Sequence, residues 1–226
     1  DTVAMLRQRQ TDDGGIALWD GNSEADSFIS TYALDFLIHA RNANLPVPAD
    51  LIESDLRYLR NWVNQTVNST DEARTKAYAI YVLTSSGMVT TNEILHLLKY
   101  FEEEKDTSWK TDLTAVYLAS SYKLMQQTDL ANETIAAFEK GISADDMNYK
   151  EQASDPFVRY AQYVSLLAAH FPERFSKLDQ EIIFTLARYI DEQYYSTLSS
   201  SYAIQALQDY ATLATQNLAE GKPKFL

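Results

Sequence analysis

Acidic side chains gather just ahead of several apolar, tyrosine-bearing segments of this chain: Glu24 and Asp26, Asp71 and Glu72, Asp106 and Asp112, then Asp145, Asp146 and Asp155. Paired carboxylates at loop ends can act as general acid and base, the arrangement by which two-carboxylate enzymes open glycosidic bonds. The same residues at helix N-termini accept amide hydrogens and complement the helix dipole. The capping reading is adopted for all of them. Glu102, Glu103 and Glu104 read as a solvated helix end. The three histidines, His39, His96 and His170, fall on different segments with no second ligand four residues away, so each is read as structural or surface-lying rather than metal-binding. The chain contains no cysteine, which removes disulfides, thiolate metal ligands and a cysteine nucleophile. No nucleophile–base pair is recognisable by spacing. No residue is therefore assigned to catalysis, to a cofactor or to a metal.

The elements that carry these residues form a repeat. Tyrosines at 32, 78, 117, 160 and 202 each open a similar apolar stretch (Thr31-Tyr32-Ala33-Leu34, Ala77-Tyr78-Ala79-Ile80, Val116-Tyr117-Leu118-Ala119, Arg159-Tyr160-Ala161-Gln162, Ser201-Tyr202-Ala203-Ile204), in steps of 46, 39, 43 and 42 residues. A period of that length marks a helical hairpin that cannot bury its apolar face without neighbours. With 226 residues, 46% of them apolar, the chain can build one substantial core. It has no twenty-residue apolar run and no charged–apolar–small leader pattern at Asp1–Leu6, so this segment is not expected to insert into a membrane. A net charge of −13 disfavours nucleic acid and anionic lipid as partners.

In chain order, Asp1–Gln10 reads as the end of a helix and Thr11–Gly21 as a glycine-bearing loop. Helices follow at about Ser27–Ala40, after Pro46 and Pro48, at Ala73–Ser85, Thr91–Glu104, Leu113–Met125, from Asp129 or Asn132 to Gly141, and at Phe157–His170. Phe175–Asp191 is expected as one outer helix before the last tyrosine segment, Tyr194–Tyr210. All six glycines and all five prolines fall at these boundaries. Tyrosine-bearing helices carry few charges and small residues on several sides, whereas those between them have a charged face. That alternation predicts an all-α fold with an inner ring wrapped by an outer ring, an α/α toroid. Fifteen tyrosines could offer a stacking surface for sugars, but their inner-helix positions favour core and ring contacts.

Two motifs carry a resemblance. Gln10-Thr11-Asp12-Asp13-Gly14-Gly15-Ile16-Ala17-Leu18-Trp19, followed by Ser27–Leu34, resembles the loop and inner-helix start of the thioester-containing domain of bacterial alpha-2-macroglobulins. The Tyr194–Tyr210 stretch resembles that domain's final inner helix, and the likeness runs from about Arg7 to Tyr210. It implies an (α/α)6 toroid, of which five inner helices are counted here. The helix unaccounted for is the first, which in the family bears a Cys-x-x-Gln thioester. Residues 1–226 are accordingly expected to be a single toroid domain excised from a larger protein and lacking its first inner helix. Asn68–Ala73 also lacks the histidine that complement-type relatives carry there.

The resemblance implies a non-catalytic part of a broad-spectrum endopeptidase inhibitor, a trap that closes on a protease after cleavage elsewhere in the parent. Its partners would be the parent's other macroglobulin-like domains and target proteases. Its place would be the periplasm or cell envelope, with any lipid anchor at the parent's N-terminus. Two alternatives stay open: a carbohydrate-active or terpene-cyclase-like enzyme on the same fold, and a helical-repeat interaction module. The Gln10–Trp19 loop also resembles the QW motif of terpene cyclases, but their Asp-x-Asp-Asp motif is absent, so the loop is read as packing. Three structural expectations follow. The five repeat tyrosines should line the inside of the ring. An apolar gap should separate its first and last hairpins. The loops Asp12–Asp26, Asn68–Glu72 and Ser196–Ser201 should converge beside that gap.

Overall fold

Polar residues ahead of the tyrosine-bearing segments start helices by accepting amide hydrogens that have no partner within the helix. The computed structural model describes residues 2–141, 156–191 and 197–219. Asp26 caps α2 (Ser27–Asn42) by accepting from the Ile29 amide. Ser69 caps α4 (Thr70–Ser85) by accepting from Glu72 N, while the Glu72 carboxylate accepts from Asn68 N at 3.0 Å, a reciprocal arrangement close to a capping box. Asp112 caps α6 (Leu113–Leu124) through the Thr114 amide. With α8 (Pro156–His170) and α11 (Thr197–Ala219) these helices form the inner series, each packed on the next in chain order. The outer helices are α3 (Ala49–Val63), α5 (Thr91–Glu103), α7 (Thr128–Gly141) and α10 (Gln180–Asp191), each packed on inner helices. A one-turn α9 (Pro172–Phe175) follows α8, and α1 (Thr2–Gln8) precedes the glycine loop. Among the described residues there is no strand, only an isolated bridge between Gln10 and Ile16.

The two series differ as their compositions require. In α4 every residue from Lys76 to Thr84 is buried, and in α6 every residue from Thr114 to Tyr122. A helix buried on all sides shows no single apolar stripe. Ala77, Ala79, Ala115, Ala119, Ala161 and Ala203 are fully buried, and such small side chains let neighbouring helices approach closely. Outer helices bury one stripe: Ile94, Leu97 and Phe101 in α5, and Ala131, Ile135 and Phe138 in α7. Each large side chain so buried contributes roughly 1.5–3 kcal/mol.

Several expectations need correction. The outer helix expected over Phe175–Asp191 is broken: α9 ends at Phe175 and α10 begins at Gln180. A 3-10 turn at Ser108–Thr111, not foreseen, is started by Asp106 accepting from Ser108 N, and it stacks Trp109 on Phe101 with centroids 5.5 Å apart. The last helix runs past Tyr210 to Ala219, and Thr197–Ser201 is its first turn rather than a loop. Tyr194, Tyr195 and Ser196 lie outside the described residues, as do Asp145, Asp146 and Asp155. Between the first and last inner helices, where an apolar gap is expected, one aromatic contact spans the axis. Tyr32 of α2 and Tyr202 of α11 meet edge-on with centroids 5.7 Å apart, and Tyr32 Oη lies 3.0 Å from Ser201 Oγ.

One buried group defies the outer-helix pattern. Asp55 lies on the apolar stripe of α3 with Leu51, Leu59 and Val63, is fully buried, and neither carboxylate oxygen has a hydrogen-bond partner in the protein. Burial pushes its pKa up to about 8. A folded-state carboxyl with a raised pKa binds more protons than the unfolded chain, so stability falls as pH rises from about 4 to about 8. We expect urea unfolding of Asp55→Asn to show a flatter pH profile across that range and greater stability than the unsubstituted chain at pH 8. Equal slopes would show that Asp55 ionises freely in the folded chain.

Candidate functional site

The would-be acid/base pair is committed to structure. Arg74 of α4 stands between the two carboxylates, donating to Asp112 at 2.6 Å and to Asp71 at 3.1 Å, while Asp112 also holds the Thr114 amide at 2.7 Å. Asp26 and Asp106 are caps as well. Asp112 is thus a cap tied to an amide and a guanidinium, whereas Asp71 is an exposed acid in the first turn of α4 paired with the same Arg74.

The glycine loop packs as expected over part of its length. Gly14 has φ +97°, and a Cβ there would fall 2.5 Å from the Ser54 carbonyl oxygen of α3; at Gly15 a Cβ would meet Ala25 at 2.5 Å and the Tyr58 ring at 2.9 Å. Only glycine lets the loop lie this close to α3. Gln10 Nε2 then donates to the Gly14 carbonyl at 3.1 Å, and Ile16, fully buried, donates its amide to Ser30 Oγ at 2.8 Å. Trp19 departs from the packing reading: it is 68% exposed. The Asn68–Glu72 loop is held from below by Lys76, whose buried ammonium donates to the Gln65 and Thr66 carbonyls and pairs with Glu72 at 3.2 Å. These two loops are thus tied to α3 and α4.

Sequence reasoning missed what the inner helices assemble at the axis of the ring. Tyr202 Oη donates to Tyr78 Oη at 3.4 Å, and Tyr78 Oη donates to Asp35 Oδ2 at 2.7 Å. Tyr78 and Tyr117 stack with centroids 4.9 Å apart, and Tyr81 lies against Tyr117 at 6.0 Å. Tyr117 donates in turn to Gln162 Oε1. Four of the five repeat tyrosines therefore converge. The fifth, Tyr160, is buried but does not line the axis; α8 presents Gln162 and Ser165 there instead. Two residues advance a helix by about 200°, so the tyrosine of this repeat faces away from the position that Gln162 fills.

These side chains enclose a cavity of about 380 Å³ bounded by all five inner helices. Its charged lining comes from Asp35 and His39 of α2 and Asp209 of α11. His39 Nδ1 lies 3.2 Å from the Asp35 carboxylate, and that hydrogen bond, together with the charges of Asp35 and Asp209, raises its pKa to about 9 against the opposing effect of burial. His170, at the end of α8, sits against Tyr81 with Nε2 and Oη 3.1 Å apart, and burial lowers its pKa to about 4. Two histidines read from sequence as unrelated thus stand at one end of the ring, one charged and one neutral. His96 is exposed on α5. The sequence signal was available in part: Asp35 and His39 are four apart, Tyr78 and Tyr81 three apart, each pair sharing a helix face. Among the described residues no group of three or more metal-ligating side chains comes together.

Comparison with known proteins decides the family. Over 209 residues, 91% of this chain, it is 42% identical to the alpha-2-macroglobulin of Rickettsia conorii. The chain is alpha-2-macroglobulin-like. It spans 11% of the length of that relative. No family model matches it. Its fold is shared with Escherichia coli alpha-2-macroglobulin activated by porcine elastase (TM-score 0.70, 20% identity, 92% of this chain and 19% of that one). It is shared equally with the native Escherichia coli protein spanning domain MG7 to the C-terminus (TM-score 0.71, 21% identity, 92% of this chain and 33% of that one). The all-α toroid reading and the likeness to the thioester-domain region of the bacterial alpha-2-macroglobulins therefore stand.

The charged pair at the axis has a consequence for stability. His39 has a folded pKa above its unfolded value, so its contribution is complete below about 6.5 and disappears as pH rises through about 9. Its side chain is 61% exposed, so screening holds the effect to about 1 kcal/mol or less. Denaturant unfolding of the unsubstituted chain and His39→Gln at pH 6.5 and pH 10 should show the difference between them shrinking at the higher pH. A constant difference would mean that the imidazole is not held protonated by Asp35.

Proposed function

We propose that this chain serves as the helical, thioester-type domain of a bacterial alpha-2-macroglobulin-like endopeptidase inhibitor and performs no chemistry of its own. The observation that carries the reading is the 42% identity extending over 91% of the chain to a much longer protein named alpha-2-macroglobulin. Two further observations support it. One solved relative is described as activated by porcine elastase, which fits a protein that responds to proteolysis. The carboxylates that would serve a glycosidase on this fold are occupied as caps and by Arg74. In this reading the chain acts as a rigid packing element: parallel inner helices hold the ring while neighbouring macroglobulin-like domains rearrange around a captured protease. The parent would lie in the periplasm or cell envelope, with any lipid anchor at its own N-terminus. Among the described residues no helix is long and apolar enough to cross a membrane.

The test uses the longer protein that carries this segment, incubated with porcine elastase. A trap should reduce elastase activity on a folded protein substrate at least tenfold while leaving cleavage of a short chromogenic peptide nearly unchanged. Equal activity on both substrates with and without the protein would reject the trap. The 226-residue chain alone should show no turnover of peptide, polysaccharide or ester. Polysaccharide turnover lost in Asp71→Asn or Asp112→Asn would instead support an enzyme.

A further inference from the structure

The axial cavity has a chemistry that the trap reading does not use. Its tyrosine hydroxyls are already engaged, Tyr202 with Tyr78, Tyr78 with Asp35, Tyr117 with Gln162 and Tyr32 with Ser201, while Asp35 Oδ1 and Ser165 Oγ have no hydrogen-bond partner in the protein. A sugar would need free donors and acceptors to replace its hydration, and a cavity whose tyrosine hydroxyls are paired supplies few of them. What remains is aromatic surface and charge. Five tyrosines (Tyr32, Tyr78, Tyr81, Tyr117 and Tyr202) contribute to the lining, and aromatic rings attract cations through their quadrupoles.

The charge count gives the sign and valence of the occupant. His39 lies 3.2 Å from the Asp35 carboxylate and pairs with it, so Asp209 is the carboxyl of the lining left without a cationic partner of its own, and a cation in the cavity would offset the burial that disfavours its charged form. Asp209 accepts from Gln205 Nε2 at 3.0 Å, and no lysine or arginine contributes to the described lining. His39 lies in the last turn of α2, whose C-terminal dipole end adds negative potential at that end of the cavity. At about 380 Å³ the cavity lies within the size range of small-molecule sites.

We propose that this axial cavity binds a small organic monocation of the alkylated ammonium type, with the tyrosine rings around its methyl groups and Asp209 supplying the counter-charge. An alkylated ammonium offers methyl groups to the rings, which a primary amine does not, and the unpartnered Asp35 Oδ1 adds to the negative lining it meets. The site is separate from the acidic caps and the glycine loop, so it stands or falls independently of the trap.

Choline and its neutral carbon isostere, 3,3-dimethylbutan-1-ol, provide the test, because they differ in charge and hardly in shape. Titration of the 226-residue chain, followed by calorimetry and by ligand-detected NMR, should show saturable choline binding at least tenfold tighter than the isostere. Asp209→Asn should lose tenfold or more in choline affinity, while Glu102→Gln, which removes the same charge from an exposed helix end outside the cavity, should stay within about threefold of the unsubstituted chain. Equal binding of choline and isostere, or no binding of either, would overturn the proposal, and this arm needs no variant to fold. Choline binding unchanged in a folded Asp209→Asn chain would show general attraction to a protein of net charge −13 and would equally overturn it.

Discussion

The structure depends on a constraint set by the inner helices: α4 and α6 have no face for water. Over Lys76–Thr84 and Thr114–Tyr122 every side chain is buried, so each of these helices must have neighbours on all sides. Wrapping by outer helices meets that demand, since α4 and α6 each touch the inner helices before and after them in the chain and outer helices behind them. The arrangement then creates a problem of its own, because polar tyrosine hydroxyls carried inward at each repeat must find partners where water is scarce. They find one another, in a series that ends on the Asp35 carboxylate. The axis is consequently polar and tyrosine-lined rather than a plain hydrocarbon seam.

The local devices agree with this plan. Ser69, Asp26 and Asp112 each start an inner helix by accepting an amide hydrogen. Arg74 ties α4 to the start of α6, and Lys76 fixes the turn from α3 to α4 by donating from its buried ammonium to the Gln65 and Thr66 carbonyls. Gly14 and Gly15 allow the first loop to lie against α3 at separations a Cβ would forbid. Residues that look from sequence like candidates for proton transfer thus serve to register one hairpin against the next.

Much of this was legible beforehand because it rests on spacing. The recurrence of tyrosines at 32, 78, 117, 160 and 202, the capping acids and the boundary glycines and prolines are local signals, and they place the inner helices within a few residues of where they lie. What was not legible depends on rotation about each helix axis and on distances between helices. The tyrosine step predicts Tyr160 at the axis, but the rotation of α8 presents Gln162. His39 and His170 are 131 residues apart in sequence and meet the same tyrosine cluster only after the three hairpins from α2 to α7 have packed. Asp55 belongs to one of the helices read as carrying a charged face, yet it falls on the stripe of Leu51, Leu59 and Val63 and is buried by α3 packing. Trp19 reads as packing from its motif and is largely exposed.

The central claim is that the tyrosines of parallel inner helices meet and are desolvated at the ring axis. Burial, with the charge of Asp35 adding to it, raises the pKa of Tyr78, Tyr81, Tyr117 and Tyr202, those of Tyr78 and Tyr117 well above the ordinary value. Spectrophotometric titration of tyrosine absorbance, with helicity followed in parallel by circular dichroism, tests this directly. Of the fifteen tyrosines, any whose hydroxyl reaches water should ionise near pH 10 with helicity intact, and a second group, including these four, should ionise only as the helices melt at higher pH. Ionisation of all fifteen in one step near pH 10, with the helical signal unchanged, would contradict the account.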